Sequence, residues 1–578
     1  MSGSGEPAFD PVLFAIVQKQ LDHITLHMGR VMTRTARSPI FSQSHDFSCF
    51  LCSSTGQLLA QADGIPAHTG GGAFAARAVL KDFAGRIFEE DVFILSDPYV
   101  AGGNHLPDWT IIRPVFLDGV LTAFACNRAH QSDIGGGAAG TYNAAATEIF
   151  HEGVRLPVMK LVDRGRMRTD YWRLLLLNSR CPDLMEGDLG AMIGSTRIGA
   201  ERVQAILEDL GGARAAAYFD AVLDYAERAM RAEIAKLPDG VYYGEDVSDT
   251  DCFEIVDVVH TVKLTIAGDT LHFDFTGSSP QIKGFKNSCM PQTHSAVYLA
   301  VSSFFRSDMP RNEGSYRPVS IVAPPGTVVN ALPPAPVTMN TVYPTQDIAN
   351  ACWKALAQAM PQRACAGWGK VSYGVSAGNA PDGRVFVMYH WHASPGGGAV
   401  LGRDGFECSG QFTTLGGLTL PNVELYEQTY PVRIDRQELR CDAGGPGQYR
   451  GGASVDYEAE IFVPTQHSIR AEGIGKPTGF GTNGGMEGAK GSLRVAENGG
   501  PFEPMPHYDV RYVGPMRAIV EGTAGGGYGD PKLREPSAVL RDVRGGLVSL
   551  AAARDIYGVA IAADGRSVDV AATKELRA

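Results

Sequence analysis

Asn104-His105-Leu106-Pro107-Asp108, the alternating run Gly119-Val-Leu-Thr-Ala-Phe-Ala-Cys-Asn127 and Arg128-Ala-His130-Gln-Ser-Asp133 decide how this chain is read. The alternating run reads as a strand closed by turn residues at both ends, and the same pattern, His-x-x-Asp, stands on either side of it. Pro107 fixes its own backbone and restricts Leu106, so His105 and Asp108 belong to a rigid turn rather than to a helix. His130 and Asp133 lie between the end of that strand and the loop Gly135-Gly-Gly137. Imidazole nitrogen with carboxylate oxygen suits a divalent first-row metal such as Zn, Mn or Fe, and such a site commonly keeps a position for water. By spacing alone, His105, Asp108, His130 and Asp133 group as candidate ligands of a hydrolytic or carboxylating centre. The competing reading is that these residues only pin glycine loops through hydrogen bonds. Two copies so close together weaken it.

Around this segment the pattern alternates between strand and helix. Asp10-Pro11 supplies a helix cap and first-turn pair, and Leu13, Val17, Leu21, Ile24, Met28 and Met32 recur at helical spacing to about residue 35. Residues 46–61 read as a hairpin, 72–83 as a helix, and 91–95 and 110–116 as strands. Helices are expected over 170–177 and 199–236, strands over 262–266 and 271–275, and a helix over 295–305, followed by a proline-rich stretch. The last third is strands and glycine turns, including Gly444-Gly-Pro-Gly-Gln-Tyr-Arg-Gly-Gly452 and Gly525-Gly-Gly-Tyr-Gly-Asp530. The expectation is an α+β, mixed α/β multi-domain chain: a strand-rich metal-bearing catalytic region over 1–236 with flanking helices, a middle α/β region over 237–395, and a β-rich region over 396–578.

With 578 residues, 44% of them hydrophobic and 20% charged, the chain is large and ordinarily globular. A net charge of −12 without sustained Lys/Arg runs argues against nucleic acid or an anionic membrane as partner. No unbroken apolar run reaches spanning length, and Met1-Ser-Gly-Ser-Gly-Glu-Pro7 has neither a basic nor an apolar leader, so a cytoplasmic location is expected. Cys49-x-x-Cys52 has no second pair to complete a zinc site and reads as reduced core cysteine.

Several motifs fail on context. His23 and His27 stand at i and i+4 but lack the Glu of a zincin helix, and read as a packed helix face. Gly374-Val-Ser376-Ala-Gly378, followed in the chain by His390, His392 and His467, matches a nucleophile elbow, but Asn379-Ala-Pro-Asp-Gly is a turn where a helix is required. Gly473-Ile-Gly-Lys476-Pro lacks the register and hydroxyl of a P-loop. Glu148-x-x-His151 has di-metal spacing without its partner copy, which leaves support of a ligand or a contact to substrate as the fairer reading.

Asp46-Phe-Ser-Cys49, Gly64-Ile-Pro-Ala-His68, Asp97-Pro-Tyr-Val-Ala-Gly-Gly-Asn-His105-Leu-Pro-Asp108, His130-Gln-Ser-Asp-Ile-Gly-Gly136, Asn312-Glu-Gly-Ser-Tyr-Arg-Pro318 and the Gly444–Gly452 segment together resemble the hydantoinase B/oxoprolinase family. Leu540-Arg-Asp-Val-Arg-Gly-Gly546 and Ala553-Arg-Asp-Ile-Tyr-Gly558 extend the resemblance towards the end of the chain. It implies metal ligation by Asp46, His105, Asp108 and His130, which moves Asp133 out of the ligand set. Asp133, His68 and Glu148 become candidate bases, and Asn104 and His151 candidate substrate contacts. The resemblance further implies one divalent metal and a separate hydantoinase A-type ATPase subunit that binds ATP and Mg, in a hetero-oligomer such as (AB)2. The partner would phosphorylate a cyclic amide, of hydantoin, lactam or 5-oxoproline type, for hydrolysis here. Ketone carboxylation of the acetone or acetophenone type is the alternative, and a non-catalytic scaffold with a structural metal is the third reading.

Overall fold

The computed structural model describes residues 10–62, 64–68, 70–414 and 420–578. Seven antiparallel strands form the first sheet: β1 (Phe47–Ser53), β2 (Leu58–Gln61), β3 (Val92–Leu95), β4 (Asp108–Leu117), β5 (Val120–His130), β6 (Met159–Asp163) and β7 (Arg166–Met167), in the order β2-β1-β5-β4-β3-β6-β7. Every residue of β1 is buried, because both faces of the sheet are covered. Cys49 and Leu51 face the long helices Pro11–Thr35 and Pro182–Leu210, packing with Val17, Leu21, Met28, Leu189 and Met192. Phe50 and Cys52 point the other way, onto Ala73, Ala76 and Val79 of the helix Gly72–Asp82. Asp10 caps the first helix by accepting from the Val12 and Leu13 amides.

The helix expected over 199–236 is two helices. Pro182–Leu210 and Gly212–Ile234 are separated by Gly211, whose φ of +78° turns the chain. The next sheet has the order β11-β10-β9-β8, from β8 (Gly240–Ser248), β9 (Val258–Ala267), β10 (Thr270–Asp274) and β11 (Val319–Val322). Strand β9 alternates buried and less buried residues, since one face packs on the helices Met290–Phe304 and Tyr343–Ala359.

The expected division at 396 cuts through a sheet. β12 (Ser372–Asn379) and β13 (Val385–Tyr389) join β16 (Thr465–Ala471) and β19 (Tyr508–Val513) in the order β13-β12-β16-β19, so main-chain pairing crosses that position. This sheet shares its core with a second one, β14-β15-β20-β17-β18, built from β14 (Val432–Leu439), β15 (Val455–Ile461), β17 (Ser492–Glu497), β18 (Glu503–Pro504) and β20 (Met516–Glu521). One continuous apolar cluster runs from the first helix through β1 and β4 into β12, β15 and β20.

The glycines read as turns have another role. Gly452 donates to the Gly397 carbonyl at 2.8 Å, Gly525 to Gly452 at 3.1 Å, Gly445 to Gly525 at 2.8 Å and Gly526 to Gly367 at 2.8 Å. A methyl group on Gly525 would run into the carbonyl of Gly397. These segments are glycine because bare backbones lie against one another.

Candidate metal centre

Three strand ends converge at one edge of the first sheet. Asp108 opens β4 and pairs in register with His130, the last residue of β5, whose amide donates to the carbonyl of Asp46 at 3.1 Å, just before β1. His105 sits in the turn that feeds β4: the Asp108 amide donates back to its carbonyl at 3.2 Å, and the Gln131 amide to the Pro107 carbonyl at 2.9 Å. His68 arrives from a short turn, Pro66–His68. Asp46, His68, His105, Asp108 and His130 line one cavity and are each 9% exposed or less. The cavity has about 350 Å³ of atom-free space, of which only about 20 Å³ admits a water-sized sphere.

The hydrogen bonds decide where the histidine protons sit. His105 Nδ1 lies 2.6 Å from the Thr338 carbonyl, which can only accept, so its proton is on Nδ1 and Nε2 carries a lone pair. The Tyr389 hydroxyl donates to the Gly140 carbonyl at 2.9 Å and therefore accepts from His130 Nε2 at 3.2 Å, which leaves the lone pair of His130 on Nδ1. Both lone pairs face the same atom, Asp108 Oδ1, at 2.9 Å from His105 and 3.1 Å from His130. His105 Nε2 makes no hydrogen bond there. Two imidazole nitrogens this close to one buried carboxylate oxygen call for a proton or a cation among them, and a divalent metal fits this donor set. The ligand atoms of His105, Asp108 and His130 lie within 4.8 Å of one another.

The other oxygen of Asp108 is held by the protein. Oδ2 accepts from Asn104 Nδ2 at 2.6 Å and faces His68 Nε2 at 2.9 Å. Ser48 Oγ lies 3.1 Å from His68 Nδ1 and 3.4 Å from the Ile65 carbonyl. Donating to Nδ1, it leaves His68 with a proton on Nε2; donating to Ile65, it lets Nδ1 carry the proton and frees Nε2 as a base. Burial pushes the Asp46 carboxyl up, against the attraction of His130. Burial would do the same to Asp108, but the imidazoles of His105, His68 and His130 packed around it hold its carboxyl well below the usual carboxylate range. His105 is lowered by burial and raised more by Asp108 beside it. Protons and a cation thus compete for the same atoms.

The remaining expected residues lie elsewhere. The Asp133 carboxylate accepts from the amides of Gly135, Gly140 and Arg180 and pairs with the Arg180 guanidinium at 3.0 Å, so all its capacity goes into the loop that carries Thr141 and Tyr142. Glu148 and His151 are exposed and do not line the cavity; His151 Nδ1 accepts from the Thr147 amide. Asn104 is fully buried and orients Asp108 rather than facing the cavity. His23 and His27 face an open cleft instead of the core. Ser376 does meet His390 at 3.0 Å and His467 at 2.9 Å, but in the middle of β12, with all three buried.

The opposite wall was not foreseen. It brings Tyr142, Trp391, Gln411 and Arg470 to the cavity from a loop, the end of β13, the loop beyond and β16. Tyr142 stacks on His130 with ring centroids 5.7 Å apart. Thr141 holds a φ of +69°, unusual for a β-branched residue, and places its hydroxyl 3.4 Å from His130 Nε2. The available signal was Arg470 itself, a lone charge within the strand-like Thr465-Gln-His-Ser-Ile-Arg-Ala471.

Residues 10–531 match the family described as hydantoinase B/oxoprolinase. The beta subunit of a caprolactamase from Pseudomonas jessenii is 34% identical over 98% of this chain and 99% of its own length. One of the subunits of a putative D-/L-hydantoinase from a Pseudomonas species is 31% identical over 98% of both. The crystal structure of the ATP-dependent caprolactamase from Pseudomonas jessenii superposes with a TM-score of 0.91 over 99% of this chain, at 34% identity. Among the described residues no helix is long and apolar enough to cross a membrane.

Proposed function

Because this chain belongs to the hydantoinase B/oxoprolinase family, we propose that it is the metal-bearing subunit of an ATP-dependent cyclic amide hydrolase. In this reading a partner subunit hydrolyses ATP and phosphorylates the carbonyl oxygen of a lactam- or hydantoin-type ring, and this chain opens the activated ring. Relatives that are themselves named as single subunits of larger enzymes support the partner, and the ATP-dependent caprolactamase supports the chemistry.

The observation that carries the reading is the pair of imidazole nitrogens that face one buried carboxylate oxygen. His105, Asp108 and His130, with Asp46 beside them, would hold a divalent metal, Zn, Mn or Fe. Such an ion would lower the pKa of bound water towards ~7 and polarise the carbon under attack. Asn104 fixes Oδ2 of Asp108 so that Oδ1 faces inward. Of the candidate bases only His68 lines the cavity, and its hydroxyl partner Ser48 suits either tautomer. His68 would take the proton of the attacking water at Nε2 and return it to the ring nitrogen as the C–N bond breaks, which leaves an acyl phosphate that a second water hydrolyses to acid and phosphate. Asp133 holds the Tyr142 loop and takes no proton.

The test is His105→Ala in the complex co-expressed with its ATPase subunit, offered caprolactam, hydantoin, 5-oxoproline, or acetone with bicarbonate. The reading expects a folded, assembled complex that has lost metal and ring-opened product. Loss of assembly would indicate a structural metal, and bicarbonate-dependent acid formation by the wild-type complex would replace hydrolysis with carboxylation.

A further inference from the structure

Arg470 is a buried cation that lacks an anionic partner. Its side chain projects from β16 into the wall of the metal cavity and is 2% exposed. Among the described residues no carboxylate lies within ion-pair distance, Nε has no hydrogen-bond partner, and Nη1 meets only Met339 Sδ at 3.6 Å. Other cations buried in this half of the molecule are neutralised: Lys286 by Glu472, Lys370 by Asp347, and Arg450 by Glu407. Arg470 is held by ring faces, its Cζ lying 3.7 Å from the centroid of Tyr142, 5.4 Å from Tyr373 and 5.9 Å from Tyr389. Ring faces attract a cation more weakly than a carboxylate does, and an uncompensated charge in a dry interior is costly.

The charges in the cavity lead to the same place. Arg470 faces the same cavity as Asp46 and Asp108 without pairing with either, so its charge is left for a group that enters the cavity. Stacking on Tyr142 occupies the face of the guanidinium, not its edge. Nε, in the plane of the guanidinium, has no partner and stays available to an anion, on one side of a fork whose geometry suits two oxygens.

We propose that Arg470 is the anion-receiving residue of this cavity and that the group it receives is a phosphoryl oxyanion. The proposal rests on the hydrolase reading and deepens it: the cavity selects the phosphorylated form of its substrate over the neutral amide. Two sources share this chemistry, the phosphorylated intermediate and the inorganic phosphate released from it.

The test is calorimetric titration of the full chain, with and without added Zn²⁺, using inorganic phosphate, acetyl phosphate as an O-phosphorylated carbonyl, and acetate. Wild-type protein is expected to bind both phosphates saturably and acetate far more weakly. Arg470→Met should weaken phosphate at least about tenfold, as loss of a charge-assisted pair of bonds requires. Tighter binding of acetyl phosphate than of phosphate assigns the site to the intermediate, and the reverse assigns it to the product. Arg470→Gln is read if Arg470→Met does not fold. No saturable phosphate binding by wild-type protein, or unchanged affinity in the folded variant, overturns the proposal. Metal content and lactam turnover of the wild-type complex are measured separately. Turnover with unchanged phosphate affinity in the variant removes the Arg470 role alone, whereas Arg470-dependent phosphate binding without metal or turnover removes the hydrolase reading alone.

Discussion

Asp108 divides its work between its two oxygens, and the residues around it test that division one at a time. Tyr389→Phe removes the acceptor that orients His130 while leaving the ring in place. Metal affinity, measured by competition with a chelator, should fall about 10- to 100-fold, the usual cost of losing such support; unchanged affinity would mean that Thr141 orients His130 instead. His68→Ala should keep its metal and lose about 10²- to 10⁴-fold in kcat, the range of a lost acid–base group. Parallel loss of metal would make His68 a ligand. His105, Asp108 and His130 were legible in the sequence because repeated spacing and a rigid proline turn lie close together in the chain. Asp46 was not, since only strand pairing brings β1 beside β5, and it entered through family resemblance. Asp133 carried the right spacing, but its oxygens are consumed by the amides of the loop behind it. Arg470 reaches the cavity and Tyr389 reaches His130 from a different sheet; the lone charge in a strand-like run marks Arg470 as unusual, but no local pattern says what it meets.

Elements locate the ligands by fixing backbones. Glu152 accepts from the amides of Val337 and Thr338, the segment whose carbonyl holds His105. Burial raises its pKa to about 7 despite those amides, from an ordinary 4.5. Between these values the folded state holds the proton that the unfolded chain has released, so this group's contribution to stability falls as pH rises from about 4.5 to about 7. Glu152→Gln has no proton to lose. Its unfolding free energy relative to wild type should increase across that window, and a pH-independent difference would contradict the assignment. The glycine segments allow a second comparison. Gly525→Ala pushes a methyl group into the Gly397 carbonyl and should cost about 3 kcal/mol or more. Gly190→Ala, exposed on the helix Pro182–Leu210 with open space around it, should stabilise by about 0.5–1 kcal/mol. Thermal unfolding of both checks the pair. Amphipathic elements such as the first helix were readable from their period. The helix Tyr343–Ala359 was not, because it is buried on nearly every side and so shows no polar face.

For the whole molecule, a single core joins the first sheet to the sandwich, which is why a boundary drawn at 396 from composition does not divide the fold. The candidate metal cavity lies where these halves meet, with its candidate ligands from the first sheet and the Arg470 wall from the sandwich. An ion bound there favours the folded state over the unfolded one. Chelation should therefore lower the unfolding temperature, and added metal should restore it. The most direct measurement is metal analysis of the wild-type complex with its ATPase subunit, coupled to ATP-dependent ring opening of caprolactam before chelation, after it, and after metal is returned. The account predicts about one divalent ion per chain, product formation that stops on chelation, and recovery with the metal. Full turnover in metal-free protein would contradict it.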